Sequence, residues 1–232
     1  MANQPPSASS SAILHKVHAK TAKGKRILEE RESKVVENGK RALFIRGTTT
    51  SAMVKLALHD LYALKKPDAV LFHERNNVHP WDGHRAEASL EFFSRRNDCS
   101  LAMMATHSKK RPHTLTLLRF FDHTLMDMFE LHVTDALGIE QLARDTSGVG
   151  VRPAFLFNGG RWEEAPELKQ LQNYFLDFFQ GERVSELNLA GLESVISVTA
   201  APDSNVLHWR VYRIRLCKGE GKLPRIELEL MG

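Results

Sequence analysis

The chain has 232 residues, 42% of them hydrophobic and 26% charged, with a formal net charge of +4. That length allows one large domain or two small ones with a sizeable core, and the balance of residue types is that of a globular protein in water. No apolar stretch is long enough to cross a bilayer, and the opening MANQPPSASSSA lacks the charged and apolar regions of a secretory signal, so neither a membrane span nor export is expected.

In chain order, residues 1–24 are expected to form a disordered basic tail rich in Pro, Ser and Ala. Residues 25–140 read as a first lobe led by a helical arm, and residues 141–232 as a second lobe. The arm sequence, HKVHAKTAKGKRILEERESKVVENGKR at 15–41, interleaves cations with acids and has few large apolar residues. A helix there has little surface to offer a core. RALFIRG is a short apolar run ending at Gly47, read as a buried strand. A helix follows, capped by Thr50 or Ser51. Val54, Ala57, Leu58, Leu61 and Leu64 recur at helical spacing, and Pro67 stops the helix. Lys65 and Lys66 occupy its last turn, where cations suit the helix dipole. A loop with several histidines and Trp81 leads to a short helix at SLEFFSRR. CSLAMMAT, TLTLLRFF and LMDMFELHV are three strand candidates, the last equally readable as a short helix.

The second half repeats this order. PAFLFNGG matches ALFIRG as a strand ending in glycine. Pro166 opens a helix whose apolar stripe is Leu168, Leu171, Phe175 and Phe178, with Gly181 at its end. SVISVTA, NVLHWRVYRIRL and RIELELM then correspond to the three strand candidates of the first half. Two β-α-β-β-β units about 110 residues apart imply duplicated lobes in an α/β (α+β) fold, joined near EQLARDTSGVGVR.

Charge is spread unevenly along these elements. Residues 1–41, 95–119 and 206–225 each carry about +5, whereas 120–205 carry about −9. Such separation predicts a surface with a basic side, the footprint of a polyanionic partner. THSKKRPHT at 106–114 sets three adjacent cations between two histidines, in the turn that joins two strands of the first lobe. A hairpin tip carrying Lys109, Lys110 and Arg111 reaches phosphates without disturbing a core, and His107 and His113 add charge below neutral pH. A merely solubilising turn fits the same residues. The corresponding turn of the second lobe, APDS, is acidic, and there the cations come from RVYRIR and CKGEGK. With KGKR in the arm, the expected phosphate contacts are Lys23, Lys25, Arg26, Arg41, Lys109, Lys110, Arg111, Lys218 and Lys222. They supply affinity and orientation, not base readout.

Nothing in the sequence marks a catalytic centre. There is no phosphate-binding loop pattern, no G-x-G-x-x-G after a strand, no G-x-S-x-G elbow and no H-E-x-x-H. HKVH at 15–18 has i,i+3 spacing but no third metal ligand nearby, and Cys99 and Cys217 form no ligand pair, so neither metal nor other cofactor is expected. Asp60 and Asp177 fall on helices and read as surface or hydrogen-bonding residues. Phe92, Phe93, Phe175, Phe178, Phe179 and Trp209 sit at helical or strand spacing among other apolar residues, which fits core packing better than base stacking.

Seven segments in order, ALFIRG, ALKKPD, LEFFSRRNDCSL, SKKRP, LDFFQGE, NVLHWRVYR and LPRIELELM, resemble Brix-domain proteins. The resemblance covers about residue 25 to the end. It implies a two-lobed Brix domain, each lobe similar to the anticodon-binding domain of certain tRNA synthetases. It further implies a non-enzymatic ribosome assembly factor of the nucleus and nucleolus, without a membrane contact. The implied partners are the regulator of ribosome synthesis, as a tight heterodimer, the 5S rRNA with the two ribosomal proteins of the 5S ribonucleoprotein, and the large-subunit (60S) pre-rRNA. The turn here reads RPH where relatives vary, and the chain stops at Gly232 where relatives continue with a basic extension. Two rival readings stand beside this one: a protein–protein scaffold that does not touch RNA, and an RNA-processing enzyme whose site is assembled from distant residues.

Overall fold

The structure, a computed structural model, describes residues 19–32, 39–81, 83–142, 150–179, 191–219 and 225–231. The HKVH pair, Gly181 and Lys222 lie outside the described residues. The chain divides into two units, 1–38 and 39–232. In the first, α1 (Ala22–Arg31) starts where the Thr21 hydroxyl accepts the Gly24 N–H at 3.1 Å, a side-chain N-cap. The tail boundary expected at 24/25 thus falls inside this helix.

The second unit contains both lobes. The first lobe runs β1 (Ala42–Gly47), α2 (Ala52–Lys65), β2 (Ala69–Asn76), α3 (His84–Asn97), β3 (Leu101–Thr106), β4 (Thr114–Phe121) and β5 (Thr124–His132). After the short α4 (Ile139–Leu142), the second lobe runs β6 (Ala154–Asn158), α5 (Arg161–Glu164), α6 (Pro166–Phe179), β7 (Ser194–Ala200), β8 (Leu207–Cys217) and β9 (Arg225–Leu230). The sheets are ordered β2-β1-β3-β4-β5 and β6-β7-β8-β9. Strands β1, β2 and β3 are parallel, as are β6 and β7, and the remaining pairs are antiparallel. No described helix is long and apolar enough to cross a membrane.

The second lobe has the expected order with one short extra helix, α5, and the first departs from it further. Residues 69–76, AVLFHERN, were expected in a loop and form β2 instead, an edge strand paired in parallel with β1. Its four apolar residues are followed by His73, Glu74 and Arg75, so period alone does not mark it; pairing with β1 does. Helix α3 has 14 residues rather than the eight of SLEFFSRR, and it ends at Asp98 in the left-handed conformation. The ambiguous segment LMDMFELHV is a strand, because β4 offers it an antiparallel edge from Thr114 to Phe121.

Both faces of the five-stranded sheet are covered. On one, α3 packs Ala86 and Leu90 against Leu43, Ile45, Met104 and Leu118. On the other, α2 contributes Val54 and Leu58 to a core that continues through α6 into the second sheet. Helix α6 lies between the sheets: Phe178 packs edge-on to Phe44 at 5.8 Å, and Phe175 packs on Trp209 at 5.1 Å. Tyr174, 0% exposed, crosses to the first lobe, where its hydroxyl donates to the Ala102 carbonyl at 3.0 Å. Burial pushes its phenol pKa up, so the group stays a donor. The α6 stripe read from sequence lacked Tyr174, which makes this contact, and Phe179, which packs on Phe155 and Trp209 of the second sheet. Of the aromatics expected in the core, only Phe92 is exposed.

A polar joint accompanies the shared core. Arg119 on β4 donates through Nε and Nη2 to Asp127 Oδ2, and through Nη1 to Asp177 Oδ2 on α6 at 3.0 Å. Lys40 Nζ reaches Asp177 Oδ1 at 2.9 Å. Burial raises the Asp177 pKa, but the hydrogen bonds from Lys40 and Arg119 outweigh it and hold the carboxyl below its ordinary value. A depressed carboxyl pKa contributes stability that is complete above the unfolded value of about 4 and is lost as pH falls through the folded value. Asp177→Asn is therefore expected to flatten the decline in urea midpoint below about pH 4, while costing stability at neutral pH. Asp60, the other helix carboxylate read as hydrogen-bonding, accepts the Ile139 N–H at 3.0 Å.

In the second lobe Gly159 ends β6 at φ +104°, and a Cβ there would stand 2.6 Å from the Ala200 carbonyl oxygen. Gly159→Ala is expected to cost about 2 kcal/mol or more in chemical denaturation, through both left-handed strain and the backbone clash.

Candidate nucleic-acid interface

Three connections meet at the C-terminal ends of the parallel strands of the first lobe: β1 to α2, β2 to α3, and the β3–β4 hairpin. The order β2-β1-β3 places a topological switch between β1 and β3, where α/β sheets commonly open a ligand crevice. Residues 47–51, GTTTS, enter α2 there, and the Ser51 hydroxyl caps the helix by accepting the Val54 N–H at 3.4 Å.

The hairpin tip is tightly built. The Ser108 N–H donates to the Arg111 carbonyl and the Arg111 N–H to Ser108 Oγ, both at 3.0 Å. The His113 N–H donates to His107 Nδ1 at 3.1 Å, and the two imidazoles sit 4.7 Å apart. His113 Nδ1 is 2.7 Å from Ser51 Oγ, so the hairpin is fastened to the helix start. The Thr49 hydroxyl and the His107 N–H complete this link, each bonding the other residue's carbonyl at 2.9 Å. A rigid turn with exposed ammonium groups is what phosphate binding needs, since little order is lost on contact.

The three tip cations are not equivalent. Lys109 and Lys110 are exposed and make no ion pair among the described residues. Arg111 is already engaged: Nη1 donates to Glu130 Oε2 at 2.8 Å, and the guanidinium lies 5.1 Å over the Trp81 ring. Trp81 is 46% exposed and was not singled out from sequence, although a tryptophan amid the polar loop residues HPWDGH was the available signal. Thr48 and Thr49, also missed, line the β1–α2 connection.

Arg41 and Lys218 are the other expected cations described in the two lobes. Arg41 is exposed at the opposite end of β1, roughly 20 Å away along a six-residue strand. Arg41 is therefore not a neighbour of Lys109, Lys110 and Arg111. Lys218 is exposed just past β8 in the second lobe, where Arg215 pairs with Glu229 at 2.8 Å and Arg225 with Glu227 at 3.6 Å. Lys23, Lys25 and Arg26 are exposed on α1, with Lys25 3.9 Å from Glu29. No metal-ligand cluster occurs among the described residues, and neither Cys99 nor Cys217 is in a disulfide.

Comparison with known proteins adds a family. The Brix domain signature matches residues 47–232. The chain is 43% identical over 227 residues to a ribosome production factor 2 homolog of Schizosaccharomyces pombe, covering 95% of this chain and 71% of that protein. It is 39% identical over 216 residues to the Homo sapiens ribosome production factor 2 homolog, covering 93% and 69%. It is 41% identical over 231 residues to the Saccharomyces cerevisiae ribosome biogenesis protein RPF2, covering 95% and 66%. Among solved structures, a probable ribosomal biogenesis protein of Aeropyrum pernix K1 aligns with a TM-score of 0.45 and 11% identity over 84% of this chain and 96% of that one, too distant to add to the assignment.

Proposed function

The chain belongs to the Brix-domain family, among the ribosome production factor 2 homologues, and on that premise we propose that it is a non-catalytic ribosome assembly factor that grips rRNA. The observation that carries the RNA part is the pinned β3–β4 tip, with Lys109 and Lys110 exposed and without an ion pair among the described residues, and with Arg111 over an exposed Trp81. The lysines neutralise phosphates, and the indole gives an unpaired base a stacking surface. Shape and protein partners, more than base edges, supply specificity.

In this reading the protein works in the nucleus and nucleolus as a heterodimer with the regulator of ribosome synthesis. The pair brings the 5S ribonucleoprotein, the 5S rRNA with its two ribosomal proteins, to the large-subunit (60S) precursor and its pre-rRNA. No cofactor takes part.

A scaffold that binds only protein draws support from a different feature. On edge strand β9, Ile226, Leu228 and Leu230 alternate onto one face and are all exposed, opposite Leu216, Ile214 and Tyr212 of β8. Such an apolar row suits a protein contact. Titration of 5S rRNA at two salt concentrations, with and without the partner, separates the two readings. Phosphate gripping predicts affinity that falls about tenfold or more for a few-fold rise in salt. Weak binding that is indifferent to salt refutes the RNA part and leaves the scaffold.

A further inference from the structure

The segment ALKKPD, residues 63–68, has no role in the tip, and its Lys65 is in an unusual place. A lysine in the last turn of a helix is ordinarily solvated; Lys65 is 5% exposed. Its Nζ sits 5.6 Å from the Phe178 ring centroid. It makes no hydrogen bond or ion pair with any described residue. It lines a cavity of about 50 Å³ at the joint of the lobes, together with Lys66, Asp68, Gly150, Arg152 and Phe179. That volume holds a few waters or one tetrahedral oxyanion.

The groups around the cavity are mostly cationic. Asp68 attracts the Lys65 ammonium, while Arg152 and Lys40 repel it. Lys66 is exposed, its Nζ 4.8 Å over the Tyr62 ring. Asp177, the nearest acid on α6, is committed to Lys40 and Arg119. Burial is the main cause that lowers the Lys65 pKa to about 8, and Arg152 and Lys40 add to it. The Lys65 ammonium has no acceptor among the described residues, which is costly for a largely buried cation, and an anion seated against it lowers the cost.

We propose that this niche is an oxyanion site that takes a phosphate group, with the Lys65 ammonium at its floor and Lys66 and Arg152 at its rim. The site is separate from the hairpin tip: the two lie at opposite ends of α2, a 14-residue helix about 21 Å long. Arg41 is at the niche end, since the Ala42 N–H donates to the Asp68 carbonyl at 3.0 Å. The phosphate is either a small free anion or part of an RNA backbone, and the same ammonium binds both.

The test follows the Lys65 side chain by NMR of protein labelled at lysine Cε. Inorganic phosphate, added at constant ionic strength against a chloride control, is expected to raise the Lys65 pKa by at least one unit. Phosphate is also expected to raise the melting temperature of the wild type and of Lys65→Arg, but not of Lys65→Met, which keeps the volume without the charge. Adding 5S rRNA to a Lys109→Glu/Lys110→Glu/Arg111→Glu variant identifies the source. A Lys65 shift with RNA places backbone phosphate in the niche, and a shift with inorganic phosphate alone makes the ligand a small anion. A Lys65 resonance that neither additive moves, or a phosphate effect that persists in Lys65→Met, overturns the proposal. Because the niche is read in the tip variant, its failure and a failure of RNA binding at the tip are told apart.

Discussion

Replacing Lys109, Lys110 and Arg111 together by glutamate is expected to lower affinity for 5S rRNA by about a hundredfold or more at near-physiological salt, measured by filter binding. Counterion release gives each neutralised phosphate a slope of about 0.7–0.9 in the logarithm of salt, or roughly fivefold in affinity at ~0.15 M. Three contacts multiply to about a hundredfold, and three new carboxylates at the same tip add repulsion. The salt slope should fall by about two to three units. The singles should be unequal. Lys109→Ala and Lys110→Ala remove exposed ammonium groups without an ion pair among the described residues, whereas Arg111 is held by Glu130 and Trp81 and has less to give. Stability should hardly change, because an exposed ion pair such as Arg111–Glu130 contributes about 1 kcal/mol at most. Unchanged RNA affinity in the triple variant would remove the hairpin from the interface and leave Lys23, Lys25, Arg26, Arg41, Lys218, Lys222 and the Lys65 niche to account for any RNA binding.

The largest effect on stability is expected at Tyr174. Its side chain is fully buried between the two sheets, in contact with Phe129 of the first lobe and Phe175 and Phe178 of its own helix. Tyr174→Ala removes an aromatic ring from a site that cannot collapse without moving a sheet, at a cost of about 3–5 kcal/mol in urea denaturation. Tyr174→Phe keeps the ring and loses only the bond to the Ala102 carbonyl, at about 1 kcal/mol. Because one core runs through α6 into both lobes, each variant should unfold in a single transition. In a Trp81→Phe background, tryptophan fluorescence from Trp162 and Trp209 in the second lobe and circular dichroism of the whole chain should therefore give the same midpoint. Separate midpoints would mean that the lobes fold independently and that α6 does not couple them.

Much of this architecture was legible beforehand because it follows from period. The stripe from Val54 to Leu64, the stripe from Leu168 to Phe178, and the apolar runs of β1, β3, β4 and β7 each specify an element from spacing alone. The duplication was visible for the same reason: a repeated order of periods survives when the residues themselves change. The tip was legible as chemistry, since three adjacent cations in a turn have few uses that do not involve solvent or phosphate.

Other features depended on contacts between distant segments. Strand β2 exists because β1 offers it a parallel edge, and LMDMFELHV is a strand because β4 lies beside it. The sharing-out of the cations was also beyond the sequence. Glu130 takes up Arg111 from across a hairpin, and the length of β1 keeps Arg41 away from the tip. Lys65 is the sharpest case: by spacing it is a solvated helix-end cation, and only the arrival of Phe178 from α6, more than a hundred residues later, buries it. Local spacing determines which surfaces a segment can present, whereas pairing, burial and the strength of a charge depend on what the rest of the chain brings against them.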